Sequence, residues 1–366
     1  MGTQYKMGDY LKAMHLGGLV PDMLLLAASV ALAALEFCIG IFLLFAIQRR
    51  LTSRLTLLTM LVVTPLTLWL AITNAVSDCG CFGDAIVLSN WQTFWKNVVL
   101  LIAALVVSTW PKEMFRFVSE SNQWIVINYS ILFIFIISGM SLYDLPQFDF
   151  RPYHVGTNLE DGWRRMMEGE DSPYADFFIE RADDYEDITE EVLNNEGYSF
   201  LLVSPHLEEA DDSRLDLINQ LCEYAQEHDY PFLCLTASTQ KSIARWRDVT
   251  GAEYPFCLTD ETTLKTIIRS NPGLILLKAG TIVRKWSHNS LPEISDEQAK
   301  LPLEKMAIGQ IPADTIPGKV TRILLWFVLP LILLSIADRT WMWTKWVRRK
   351  QKKIIHINNP IKKKKT

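Results

Sequence analysis

The sequence has no glycine-rich phosphate loop, no His-Glu-x-x-His helix and no serine-nucleophile signature. These absences argue against a nucleotide-driven enzyme, a zinc peptidase and a serine hydrolase. Histidine is scarce, six in 366 residues, and none stands near the close cysteine pair Cys79 and Cys81. A metal held by that pair would therefore lack its usual nitrogen ligands. There is no Cys-x-x-Cys anywhere, and no signal peptide opens the chain. No nucleic-acid partner is expected.

What is present is strongly segregated. Hydrophobic residues make up 49% of the chain and charged residues 21%. Residues 144–318 hold 33 of the 41 Asp and Glu but only 15 of the 36 Lys and Arg, a net charge of −18 against +13 for the remainder. An acidic soluble domain is thus inserted into a basic, apolar part. Five runs approach the roughly 20 apolar residues that a span needs: 21–47, 55–75, 94–110, 124–142 and 320–337. Trp91, Trp95, Trp110, Trp124, Trp341, Trp343 and Trp346 sit at or near their ends, where interfacial anchors belong.

The loops set an orientation. Arg49, Arg50 and Arg54, then Lys112 and Arg116, then the basic residues after span five mark three segments as cytoplasmic. The Cys79 loop and the acidic domain then share the other, oxidising side of a bacterial inner membrane. The Lys362–Lys365 tail is a positive-inside signal that also touches anionic lipid. This arrangement places the first twenty residues outside: either a short tail crosses after synthesis or, the favoured expectation, a further helix lies upstream of this sequence, with residues 2–11 as the loop that follows it.

The chemistry centres on Ser77-Asp78-Cys79-Gly80-Cys81-Phe82-Gly83-Asp84. Three readings stay open: a redox pair, a structural turn with two small residues, and part of a ligand set. A Cys-x-Cys disulfide closes a small, strained ring and should be labile. Asp78 and Asp84 oppose thiolate formation. Glu36 lies deep in the first span and should face the bundle interior, as a proton-handling group or bonded to Thr64, Thr67 or Asn97. Cys38 reads as a core residue and Pro65 as a packing kink.

Residues 1–112 resemble the DoxX/MauE family of small four-helix membrane proteins. The resemblance rests on Gly2-Thr3-Gln4-Tyr5-Lys6, Glu36 with Gly40, Asp78-Cys79-Gly80-Cys81-Phe82-Gly83-Asp84, Leu88-Ser89-Asn90-Trp91-Gln92-Thr93 and Lys96-Asn97. It implies support of disulfide formation in secreted partners, or quinone-coupled thiol redox. A quinone is then the expected acceptor, and Cys79, Cys81 and Glu36 the expected catalytic residues.

Residues 143–195 read as an acidic connecting region, in which 148–156 is extended and 183–191 mostly a solvated face without EF-hand spacing. His154 reads as a surface hydrogen-bonding residue. From residue 198 an α/β order follows: strands at 198–204, 231–236 and 254–258, helices at 214–227, 240–250 and 261–269, and a hairpin of 273–278 with 281–286 across Ala279-Gly280. Asp211, Asp212 and Ser213 are expected to cap the first helix. The order over residues 196–300 resembles a thioredoxin-like domain, with Asn271-Pro272 where that family has its cis-proline. The position of the family's Cys-x-x-Cys is taken by Ser204-Pro205-His206-Leu207-Glu208, so the domain should bind rather than exchange disulfides. Its expected binding residues are Ser204, Pro205, His206, Asn271 and Pro272. Cys222, Cys234 and Cys257 should be core residues. The expected organisation is a bundle at 1–142, the acidic region, the thioredoxin-like domain, a linker at 301–319, a helix at 320–340 and a basic tail at 341–366. Two functions follow: an envelope redox protein, or a non-catalytic assembly protein that docks an envelope partner.

Overall fold

The computed structural model describes residues 2–15, 20–76, 88–169, 174, 177–314 and 316–358. The chain forms two compact units, one of residues 1–138 with 320–366 and the other of residues 139–319.

The first unit is helical. Helices α1 (Gly2–Ala13), α2 (Asp22–Leu44), α3 (Arg49–Thr73), α4 (Asn90–Thr109), α5 (Gln123–Tyr143) and α11 (Ile316–Asn358) account for nearly all its described residues. Five of them are long and apolar enough to cross a membrane, and the chain is a multi-pass membrane protein. Residues 2–11 depart from the expected loop: they lie within α1. Met7, Tyr10, Leu11 and Met14 recur at helical spacing, a signal masked by Gly2 and Gly8.

Two sets of contacts build this unit. Helices α2, α5 and α11 share an aromatic cluster in which Phe37, Phe133 and Phe327 meet, the last two with centroids 4.4 Å apart. Helices α3 and α4 pack through polar groups instead: Asn97 Nδ2 donates to Thr67 Oγ1 at 3.2 Å, and Thr64 and Thr93 are buried beside them. At one end the 110–122 segment is a hub. Arg49 Nη1 donates to the carbonyls of Lys112 and Met114, and Gln123 Oε1 accepts from the Gln48 N–H. Asp338 of α11, 4% exposed, accepts from Ser119 N–H and hydroxyl and from Asn122 Nδ2.

The second unit is an α/β domain. Its sheet has the order β1-β4-β3-β2-β5-β6, from β1 (Glu180–Arg181), β2 (Tyr198–Ser204), β3 (Phe232–Thr236), β4 (Phe256–Leu258), β5 (Gly273–Lys278) and β6 (Thr281–Ser287). Strands β2, β3 and β4 are parallel, while β1, β5 and β6 run antiparallel to their neighbours. Strands β2 and β3 are central and buried throughout, as their unbroken apolar runs predict. Alternate residues feed opposite faces. Phe200, Leu202, Cys234 and Leu276 pack with α8 (Leu215–Glu227) and α9 (Gln240–Thr250). Leu201, Val203, Leu235 and Ile275 pack with α6 (Leu159–Met167), α7 (Thr189–Leu193) and α10 (Glu261–Ile267). Ala279 and Gly280 both take positive φ, 45° and 67°, the geometry of a tight hairpin turn.

The acidic cap expected for α8 does not form. Its N-cap is Arg214 without a side-chain bond, because Asp211 accepts from Ser213 instead. The 149–153 segment is stitched to the domain by charge: Lys285 Nζ, 4% exposed, contacts Asp149 Oδ2 at 2.7 Å and donates to the Tyr153 carbonyl. Arg151, 7% exposed, pairs with Asp149 and donates to carbonyls at the end of α10. The segment after β6 returns along the domain, held by tyrosine hydroxyls: Tyr198 donates to Gly309 O and Tyr224 to Leu301 O.

Candidate functional site

Cys79 and Cys81 lie outside the described residues; the stems of their loop do not. Helix α3 ends on Asn74 in the left-handed conformation. Asn90, 6% exposed at the start of α4, donates through Nδ2 to Asn74 Oδ1 and to Val76 O, each at 2.8 Å. Ser89 adds a capping box: its hydroxyl accepts from Gln92 N–H while its own N–H donates to Gln92 Oε1. One buried side chain therefore ties both stems together at the loop's base.

Glu36 departs from the expected interior position. It is exposed on α2, and Asn97 and Thr67 bond to each other rather than to it.

In the α/β domain the expected binding residues do converge. The Asn271-Pro272 bond is cis. Ser204 Oγ, at the end of β2, donates to Asn271 Oδ1 at 2.7 Å, and Asn271 Nδ2 donates to His206 O at 2.8 Å. Pro205 is buried, and its carbonyl accepts from Ala237 N–H. The imidazole of His206 meets Glu261 at 3.1 Å, and Lys265 also pairs with that carboxylate. Lys265 is the main cause that holds the Glu261 carboxyl below its ordinary range, against a smaller effect of burial.

Further residues at this place are missing from the sequence-based expectation. Asp211 N–H donates to the Asn271 carbonyl at 3.0 Å, so the chain itself occupies that acceptor. Ser270 Oγ lies 2.9 Å from His288 Nδ1, and His288 Nε2 lies 3.7 Å from Asp211 Oδ2. The order of groups is that of a serine–histidine–aspartate relay, but the geometry is not. The serine proton goes to the Pro272 carbonyl, Ser270 is buried, and 3.7 Å is too long for a hydrogen bond. Ser270 precedes β5 and His288 follows β6, so both lie outside the paired register and a count along the hairpin does not bring them together.

Among the described residues the site therefore offers hydrogen-bonding groups and no accessible thiol. Cys222, Cys234 and Cys257 are buried in the domain core. Burial pushes each thiol upward, Cys257 to about 11, the reverse of what thiol exchange needs. Among the described residues no group of His, Cys, Asp and Glu has the arrangement of a metal site.

Residues 4–110 match the family model of methylamine utilisation protein MauE. Among solved structures, a disulfide-isomerase candidate from Bacteroides thetaiotaomicron is 17% identical over 32% of this chain and 77% of that chain, with a TM-score of 0.26. A thiol peroxidase from Chromobacterium violaceum is 16% identical over 30% of this chain and 70% of its own, with a TM-score of 0.23. No curated protein matches the chain. The chain is thus a MauE-like membrane region joined to a thioredoxin-like α/β domain, the second half of that description resting on the strand order and the cis-proline loop.

Proposed function

We propose that this chain is a thiol redox protein of a bacterial inner membrane, working through Cys79 and Cys81. The observation that carries the reading is the partition of the six cysteines. Three are sealed in the α/β core, and Cys38 lies in α2. Cys79 and Cys81 fall between two helices whose ends Asn90 ties together. The match of residues 4–110 supports the same assignment.

In this reading the Cys79–Cys81 disulfide accepts two electrons and two protons from a dithiol partner and becomes two thiols. Return to the disulfide releases two protons and two electrons, and a lipid-soluble quinone is the acceptor. The thioredoxin-like domain, with its converged Ser204, His206 and Asn271, recruits the envelope partner on the non-cytoplasmic side.

The cis-proline loop with no accessible thiol also favours a second reading, a purely docking protein. Trapping separates the two. With Cys79 or Cys81 changed to Ser, the remaining thiol should hold a partner as a mixed disulfide that reductant releases. Full function in both Ser variants, with no adduct, would leave only the docking role.

A further inference from the structure

The cationic end of the helical unit has chemistry that the redox reading does not use. From residue 339 to 366 the sequence holds eleven Lys and Arg and no Asp or Glu. The first of these, Arg339, is exposed and lies over the Phe115 ring at 4.7 Å. Its neighbour Asp338 is spent on Ser119 and Asn122, so α11 is fixed against the 115–122 segment at this level. On that same segment Arg116 pairs with exposed Glu120, while its Nε is buried without a partner. Arg49 braces the segment from the other side through the Lys112 and Met114 carbonyls. Phe115 and Phe117 stack edge to face between these cations.

Three exposed tryptophans, Trp341, Trp343 and Trp346, follow within two turns. Tryptophans at one level of a membrane helix mark the headgroup boundary. Lys345 and Lys350 lie over the Trp341 and Trp346 rings, at 5.4 and 4.5 Å. The arginines and aromatics around Phe115 therefore stand at headgroup depth. The guanidinium of Arg339 is exposed there, and a cation at headgroup depth attracts the phosphate of an anionic lipid.

We propose that Arg116, Arg339 and the 115–117 aromatics form a binding site for the phosphate of an anionic phospholipid, with Lys345 and Lys350 extending the attraction. The occupant is a lipid of the leaflet at this end, since the cations flank apolar rings that acyl chains and glycerol would cover. A free phosphate would gain nothing from those rings.

The test uses the full chain in nanodiscs of phosphatidylcholine alone, or of phosphatidylcholine mixed with phosphatidylglycerol or cardiolipin. Retained lipids are counted by native mass spectrometry. Anionic lipid should be retained over phosphatidylcholine, and Arg116→Gln or Arg339→Gln should each lower that retention about fivefold. Arg116→Lys and Arg339→Lys keep the charge and control for folding, and should retain most of it. Equal retention of neutral and anionic lipid, or unchanged retention in the Gln variants, would overturn the site. Displacement of lipid by inorganic phosphate would assign the cations to a free anion and sink the lipid proposal.

Discussion

Asp149 and Lys285 show how much a single pair can decide. Burial alone would raise the Asp149 carboxyl, but Lys285 and Arg151 outweigh it and hold it below its ordinary range. Burial lowers Lys285 from 10.5 to about 8, with Asp149 opposing. Removing one partner of such a pair strands the other, so Asp149→Ala should cost about 3–5 kcal/mol in a denaturant titration of the domain transition. Lys285→Met replaces the stem and should cost less. The pH response separates the two groups. The stability due to Asp149 is present above its unfolded pKa and lost as pH falls through the folded one. Between about pH 8 and 10.5 the unfolded chain binds the Lys285 proton more tightly, so stability contributed by this group rises with pH in that window. In Lys285→Met that rise should vanish; an unchanged slope would show that Lys285 is not the titrating group. None of this is legible in the sequence. Residues 148–156 are aromatic and polar enough to read as an extended connector, and nothing local pairs Asp149 with a lysine 136 residues away.

At the level of elements, the α/β order was readable because β2, β3 and β5 are apolar runs bounded by proline, glycine and polar turns. The cis-proline loop was readable from where Asn271-Pro272 falls before the hairpin. The self-engagement of that loop by Asp211 was not, since a backbone bond from an irregular segment leaves no pattern of side chains. The hairpin turn offers a direct check. A Cβ at Gly280, whose φ is +67°, would meet Glu160 Cβ at 2.8 Å and Leu193 O at 2.9 Å. Gly280→Ala should therefore destabilise the domain by about 1–3 kcal/mol, read as a lowered Tm. Between α3 and α4 the decisive residue is Asn90. Its loss leaves Asn74 and Val76 without their shared donor, and Asn90→Ala should cost about 1–3 kcal/mol and speed proteolysis of the loop. Equal proteolysis in both proteins would mean that the stems are fixed by other contacts.

For the whole molecule, the segregation of charge and the apolar runs made the division into a membrane part and an α/β part legible from composition. Sidedness is an expectation that labelling decides. Cysteines placed at Ser290 and Thr366 should react with an impermeant reagent from opposite faces of sealed vesicles, and labelling from one face would refute the orientation.

Helix α11 does not stop where its apolar run does: it continues to Asn358. Along a straight helix Lys353 stands about 15 Å beyond Trp343, whereas electrostatic reach at physiological salt is about 8 Å. Ionic strength then acts as a ruler on this helix. Among the cations borne on the helix, those nearest the tryptophans sense the bilayer most strongly in ordinary salt. On dilution the more distant turns should join one after another, so lipid affinity should rise in a graded series rather than in a single step.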